Sequence, residues 1–519
     1  MTELARSEVG VPLGTGRSLS PMQRGLWVSQ LNHPRAPVQN MPLLSFLDGQ
    51  IEAKRLAEAF RSVVARSDVL RTRLVDTGAG QWQVELAAVD DLPETEIVEL
   101  DRAEVEKWAR ARGSQPIDMR VIGYDSAIAA HPDGTASWYL DLHHVITDAT
   151  SSALVFHETA DAYRQLTEDG RAESFDPPSQ NGYYRWARKL AANLERPQDS
   201  ATRKAIDHWR AREPAPRIDG LYRSVDRPTP DAQRLPLPFG PELLDLAEQR
   251  LQGQYRMLTD HLGWSTLLVT ATAIYCHRVS GAAEFAIGLP VHNRSDPSAR
   301  TMIGPTMEVF PVDISIQPDD TFGSIHRRVG RAVLSTLRHA APGTSPAADY
   351  QAVVNVIPRA EQQWFGSIAA TTRWLHSGAI DSSHLLRVQM TAYAGDDPRD
   401  GEGDTIPGPE FALDLNHGGA DVEHRARAAG HFTSVFSDLV TDPDLPIGHR
   451  SLCGPDEMDL LRRWESQPDH RPPPAAVLDG LRHVLADNPS IVIEEATAQS
   501  SNRPLSGRHL WVWVARLAE

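Results

Sequence analysis

A chain of 519 residues that is 41% hydrophobic can bury two ordinary cores, and its composition is not that of a disordered, collagen-like or disulfide-scaffold protein. A formal net charge of −17 argues against nucleic acid as a partner, because phosphate binding needs clustered lysines and arginines. Only Cys276 and Cys453 are present, which leaves no disulfide framework and no CxxC pair. Met1 to Ser7 lacks a secretion signal, and the most apolar run, Leu267 to Cys276, is about half the length of a membrane span; a cytoplasmic location is the expectation.

In chain order, Ser20-Pro21 ahead of Met22 to Trp27 predicts a helix start, with a capping hydroxyl and proline at the first helical position. Leu56, Ala59, Phe60, Val63 and Val64 form one helical stripe within 51–66, and Val69 to Leu74 reads as a strand. Ser137 to Val145 alternates as a strand does, while Val155, Thr159, Ala162, Tyr163 and Leu166 return to helical spacing. The segment His143-His144-Val145-Ile146-Thr147-Asp148-Ala149 therefore joins a strand to a helix. Residues 177–182 and 214–230, rich in proline and polar residues, read as connections, with the lobe boundary between them. Ser265 to Arg278 predicts a buried helix leading into the strand Ala286 to Val291. Val309 to Ile316, Leu385 to Tyr393 and Glu410 to Leu415 predict further strands, residues 396–409 a long loop, and residues 421–440 a helix. Helices and strands alternate in both halves, which predicts two α/β lobes.

The chemistry concentrates at the paired histidines. A neutral imidazole at a strand end can take a proton from an amine, or orient it, as it attacks an acyl carbon. Successive strand residues point to opposite faces, so one histidine can work while the other anchors. The bland alternative has His144 continuing the apolar face of Trp138, Leu140 and Leu142, with Asp148 capping the next helix. No Gly-rich Lys-Ser/Thr phosphate loop, GxSxG elbow or HExxH pair is present. A metal on His143, His144 and Asp148 lacks a fourth ligand at a recognisable spacing, so none is expected. His143 and Asp148 also satisfy the HxxxxD pattern of glycerolipid acyltransferases, which work at membranes.

At this point the sequence resembles the condensation domain of non-ribosomal peptide synthetases, within the chloramphenicol-acetyltransferase-like superfamily. Ordered landmarks run from about Ser18 to Trp464: Leu19 to Trp27 is similar to the family's opening helix, His143 to Ala149 to HHxxxDG, and Asp207 to Arg210 to the YWR segment between lobes. Gly288 to Arg294 resembles GxPxxxR, and Phe411 to Asn416 and Asp442-Pro443-Asp444 match further positions. The resemblance implies two chloramphenicol-acetyltransferase-like lobes in a V-shaped pseudo-dimer with a tunnel between them, here an N-terminal lobe 18–190 and a C-terminal lobe 191–465.

It further implies that His144 is the catalytic or substrate-positioning residue, that His143 is structural, and that Asp148 pairs with Arg294 to hold the loop. Thr147, Met307, Glu308 and Asn416 are candidates to line the tunnel. Donor and acceptor would arrive on phosphopantetheine arms of separate carrier proteins, the chain itself binding no cofactor, and the amine would attack the thioester directly. Holding both in one tunnel supplies proximity. Two departures stand out. Ala149 replaces the usual glycine, so a backbone needing positive φ would be strained by roughly 1 kcal/mol, at some expected loss of activity. Glu308, where asparagine is common, together with Arg300-Thr301, looks like the subset handling starter acyl groups.

Residues 466–519 read as a linker, Pro472-Pro473-Pro474, followed by the beginning of an adenylation-like domain from Ile491. Such a tail would neither activate an amino acid nor carry a pantetheine arm, so both carriers would act in trans, with an adenylation enzyme or module as a further candidate partner. The rivals to amide formation are an ester-forming acyltransferase of the same superfamily, a non-catalytic docking module, and an epimerase. The intact His143, His144 and Asp148 weigh against docking alone.

Overall fold

The computed structural model describes residues 17–454 except 79, 169–181, 223–228, 358–362, 366, 392–408 and 421, together with 457–459 and 462. The loop predicted at 396–409 falls almost wholly outside the described residues, as does the adenylation-like tail. Contacts divide the chain into two units. The larger runs to Ile316 and resumes over Thr321–Leu445; the smaller joins Gln317–Asp320 to residues from Pro446 onward, where the Ile447 amide donates to the Asp320 carbonyl at 3.1 Å.

The larger unit holds two six-stranded mixed sheets. In the first, the order is Gln363–Phe365, Ile368–Trp374, Asn40–Leu47, Ala136–His143, Tyr124–Ala130 and Glu96–Glu99, antiparallel except for the last pair. In the second, it is Glu308–Ser315, Glu284–Val291, Ala352–Ile357, Leu386–Thr391, Glu410–Asn416 and Ala232–Pro236, with Ala352–Ile357 parallel to both neighbours. The strands Gln363–Phe365 and Ile368–Trp374, far along the chain, thus complete the sheet built from the N-terminal half, with Trp374 opposite Leu43 and Ala370 opposite Leu47.

Local sequence explains the helices that frame the site. Pro21–Asn32 begins at a capping box: the Gln23 amide donates to Ser20 Oγ and the Ser20 amide to Gln23 Oε1, both at 3.1 Å, satisfying two otherwise orphaned donors. Ala53–Arg66 buries Leu56, Ala59, Phe60, Val63 and Val64, the stripe its spacing predicts. With Ala149–Glu168 it covers one face of the first sheet, where Trp138, Leu140 and Leu142 point inward. The opposite face packs Tyr139 and Ala127 against Val105 and Ala109 of Arg102–Gly113. In the second half, Asp260–Ser280 is buried continuously from Leu262 to Cys276, because Phe322–His339, Val422–Thr441 and the sheet surround it. This apolar run is a core helix. Among the described residues no helix is long and apolar enough to cross a membrane.

The strand read at Val69 to Leu74 starts later, at Thr72, because Val69 to Arg71 form a turn closed by the Thr72 amide on the Val69 carbonyl at 3.2 Å. Ala149 departs from expectation in a more consequential way. It opens the helix Ala149–Glu168 and is not among the residues with positive φ, so the strain anticipated from replacing glycine does not arise. Ala149→Gly is accordingly expected to lower stability slightly, by about 0.5–1 kcal/mol at most, and to leave activity unchanged; a urea titration and an activity assay check both.

Candidate active site

The strand Ala136–His143 is buried along its whole length, and the chain turns as soon as it ends. The His143 amide donates to the Gly123 carbonyl at 2.9 Å, the His144 amide to Gln39 at 2.7 Å, and the Ile146 amide back to His143 at 2.9 Å. The opening helix clamps this turn, since Gln23 Nε2 donates to the Val145 carbonyl at 3.1 Å and to the Tyr184 hydroxyl at 3.0 Å. Two adjacent histidines consequently meet different surroundings. His143 is fully buried, its Nδ1 accepts from the Val145 amide at 3.1 Å, and burial pushes its pKa down to about 3. It stays neutral and anchors the turn. His144 is only partly buried; desolvation lowers its pKa, the Asp148 carboxylate opposes this and the Arg387 guanidinium adds to it. Its imidazole is therefore neutral near pH 7, with a lone pair to offer.

Asp148 gathers the loop. Arg294 Nη2 lies 2.9 and 3.1 Å from its two oxygens, the Ser151 amide and hydroxyl each donate at 2.8 Å, and the Thr306 amide donates at 3.0 Å. Burial works to raise its pKa, but Arg294 and these donors outweigh it and hold the carboxylate below its ordinary range. Helix capping and ion pairing, alternatives on sequence grounds, coexist in this one side chain. Arg294 also donates to the carbonyls of Met302 at 2.8 Å and Gly304 at 2.9 Å, so the pair ties the helix after the histidines to the segment between two strands of the other sheet. Gly304 has φ of 146° and a Cβ there would lie 2.2 Å from the Tyr183 ring, which makes glycine necessary at that crossing.

The other sequence candidates occupy mixed positions. Thr147 is fully buried, its hydroxyl 3.2 Å from the Asp148 carbonyl, and Met307 is partly exposed. Asn416 donates to the Thr229 carbonyl at 2.7 Å and accepts from the Gly418 amide at 2.7 Å. Glu308 is buried and accepts from Asn293 Nδ2 at 2.9 Å and the Gly343 amide at 2.7 Å, while Arg300 and Thr301 are exposed. Burial, opposed by the Gly343 and Ser345 amides, pushes Glu308 up to about 7. A raised carboxylate pKa means the folded state binds the proton more tightly, so this group's contribution to stability falls as pH rises from about 4.5 to 7. The stability of wild type minus that of Glu308→Gln should fall across that window by roughly 2–3 kcal/mol; thermal or urea unfolding at a series of pH values measures it, and a flat difference would contradict it.

Sequence reasoning missed Ser151, Thr306 and Tyr183, whose hydroxyl meets Ser20 Oγ at 2.7 Å and donates to the Pro305 carbonyl at 3.0 Å. It also missed a charged rung on the second sheet: Asp414 lies opposite both Arg387 and Arg234. Ser20-x-x-Gln23 signals only the capping box of the opening helix; nothing local marks Ser151, Thr306, Tyr183 or the rung. Among the described residues no cluster of three His, Cys, Asp or Glu side chains could hold a metal ion.

A family model described as the condensation domain matches residues 16–345. Among sequence relatives, the dimodular nonribosomal peptide synthase of Bacillus subtilis is 22% identical over 484 residues, covering 86% of this chain and 18% of that protein. The isonitrile lipopeptide synthase of Streptomyces coeruleorubidus is 24% identical over 349 residues, covering 63% of this chain and 22% of that one. The chain thus spans about a fifth of each. Solved structures share the fold: the first condensation domain of the calcium-dependent antibiotic synthetase, in complex with a substrate analogue, superposes with a TM-score of 0.66 at 20% identity over 85% of this chain and 100% of that one. The starter condensation domain of rhizomide synthetase, in complex with C8-CoA and Leu-SNAC, gives 0.65 at 19% identity over 85% and 98%.

Proposed function

The chain belongs to the condensation-domain family, and from that premise we propose that it joins a carrier-tethered acyl donor to an amine, forming an amide in natural-product biosynthesis. The observation that carries this reading is the neutral, partly exposed His144 at the end of a rigid strand, on a loop fixed by the buried Asp148–Arg294 pair.

In the proposed step the amine nitrogen bonds to the thioester carbonyl carbon, the C–S bond breaks, and the pantetheine thiolate leaves. His144 accepts or steers the amine's proton, which passes to the thiolate and returns the imidazole to neutrality. Asp148 takes no proton; its depressed pKa keeps it an anion paired with Arg294. Donor and acceptor are presented on carrier proteins, their phosphopantetheine arms reaching His144 through a tunnel between the lobes. The acceptor class is tested by offering amine and alcohol acceptors to one loaded donor carrier, with starter acyl and peptidyl donors in parallel. Amide product supports the reading; ester product alone overturns it in favour of the ester-forming alternative.

A further inference from the structure

The rung formed by Arg234, Asp414 and Arg387 crosses three neighbouring strands in register, so the three side chains share one face of the sheet. Asp414 is fully buried. Arg234 Nε lies 2.7 Å from its Oδ1 and Nη2 2.9 Å from its Oδ2, while Arg387 Nε and Nη2 lie 3.1 and 3.0 Å from Oδ2. Arg234 also donates to Gln389 Oε1 at 2.6 Å. One carboxylate thus serves two guanidiniums. His376, 3.7 Å from Asp414, does not alter the count, since burial pushes its pKa down to about 4 and leaves it neutral. The cluster carries one excess positive charge. Both guanidiniums hold Nε and Nη2 against Asp414; the Arg387 side chain is 30% exposed and its Nη1 has no partner among the described residues.

The Arg387 guanidinium is close enough to act electrostatically on the His144 imidazole, and hydrogen bonds link their surroundings. The Leu375 amide, beside His376, donates to the Pro42 carbonyl at 2.9 Å, and Pro42 lies on the strand whose Asn40 sits opposite His143. On a second route, Asp381, in the turn before the Arg387 strand, accepts from the Ser29 hydroxyl; that hydroxyl accepts from Gln39 Nε2 at 2.9 Å, and the Gln39 carbonyl holds the His144 amide. We propose that Arg387, oriented by Asp414, is a specificity residue that binds a carboxylate carried by the acyl donor or by the amine acceptor beside His144. A guanidinium in a half-desolvated site is matched by a carboxylate accepting charge-assisted hydrogen bonds, and neutral substrates leave that charge uncompensated.

The inference rests on the proposed function for the nature of the bound molecule, but its test needs no turnover. N-acetylcysteamine thioesters serve as probes with the full chain: glutaryl against glutaramoyl for the donor side, aspartyl against asparaginyl for the acceptor side, titrated by calorimetry. The carboxylate member of one pair is expected to bind about tenfold or more tighter than its amide, which also shows the side it enters. Arg387→Met, which leaves the balanced Arg234–Asp414 pair in place, should abolish that preference, and His144→Ala should retain it. Equal affinities within both pairs of the wild-type protein, or a preference that survives Arg387→Met, overturn the inference. A protein that prefers the carboxylate yet forms no product upholds this inference while refuting the catalytic reading.

Discussion

Arg294→Met is expected to lower the unfolding free energy by about 3–5 kcal/mol, because it leaves the Asp148 carboxylate buried without its counter-ion. The side chains of Arg294 and Asp148 are only 7% and 1% exposed, so solvent cannot take over the lost charge. The remaining donors from Ser151 and Thr306 favour the lower part of that range. The double variant Asp148→Asn, Arg294→Met should be destabilised less than Arg294→Met alone, since no buried charge is then unpaired. The pH dependence follows from the depressed Asp148 pKa: the pair's contribution is full above the unfolded carboxylate value and is lost as pH falls through the lower folded value. Urea titrations at neutral and acidic pH measure all three. An Arg294→Met protein within about 1 kcal/mol of wild type would show that the pair does not hold the loop.

His144→Ala should reduce product formation by about 10²–10⁴-fold, the range for loss of a positioned general base, with stability close to wild type because the side chain is only partly buried. His143→Ala should behave differently. Its ring is fully buried, lies 6.3 Å from the Trp27 ring and accepts from the Val145 amide, so its loss falls on stability. Carrier binding should survive His144→Ala. Single-turnover assays with matched unfolding curves separate the two histidines; equal activity losses with equal stability losses would remove the division of roles.

Local pattern made much of this legible. The stripe in Ala53–Arg66, the buried helix around Leu267 to Cys276, and the strand-to-helix passage at His143 to Asp148 follow from periodicity and capping, which need only neighbouring residues. Pairings across long stretches of chain did not. Nothing in 363–374 signals that these strands complete a sheet begun at Asn40, because edge position and register are set by distant partners. Arg294 was reached through family resemblance; Ser151 and Thr306 also touch Asp148, yet as small hydroxyl residues they carry no spacing signal. Asp414 reads as a polar interruption in the strand Glu410–Asn416, and only the sheet order shows it facing two arginines. Ala149 shows the converse: a motif position suggested strain, while the backbone places it as an ordinary first helical residue.

The most direct test of the amide-forming account is intact-mass measurement of an amine-loaded acceptor carrier after incubation with this chain and an acyl-loaded donor carrier, across a panel of donors. The account predicts that for at least one pair the acceptor gains the mass of the donor acyl group as an amide, and that His144→Ala slows the gain at least about a hundredfold. Carriers that bind while the acceptor mass stays unchanged throughout the panel would contradict it and assign the chain a docking role instead.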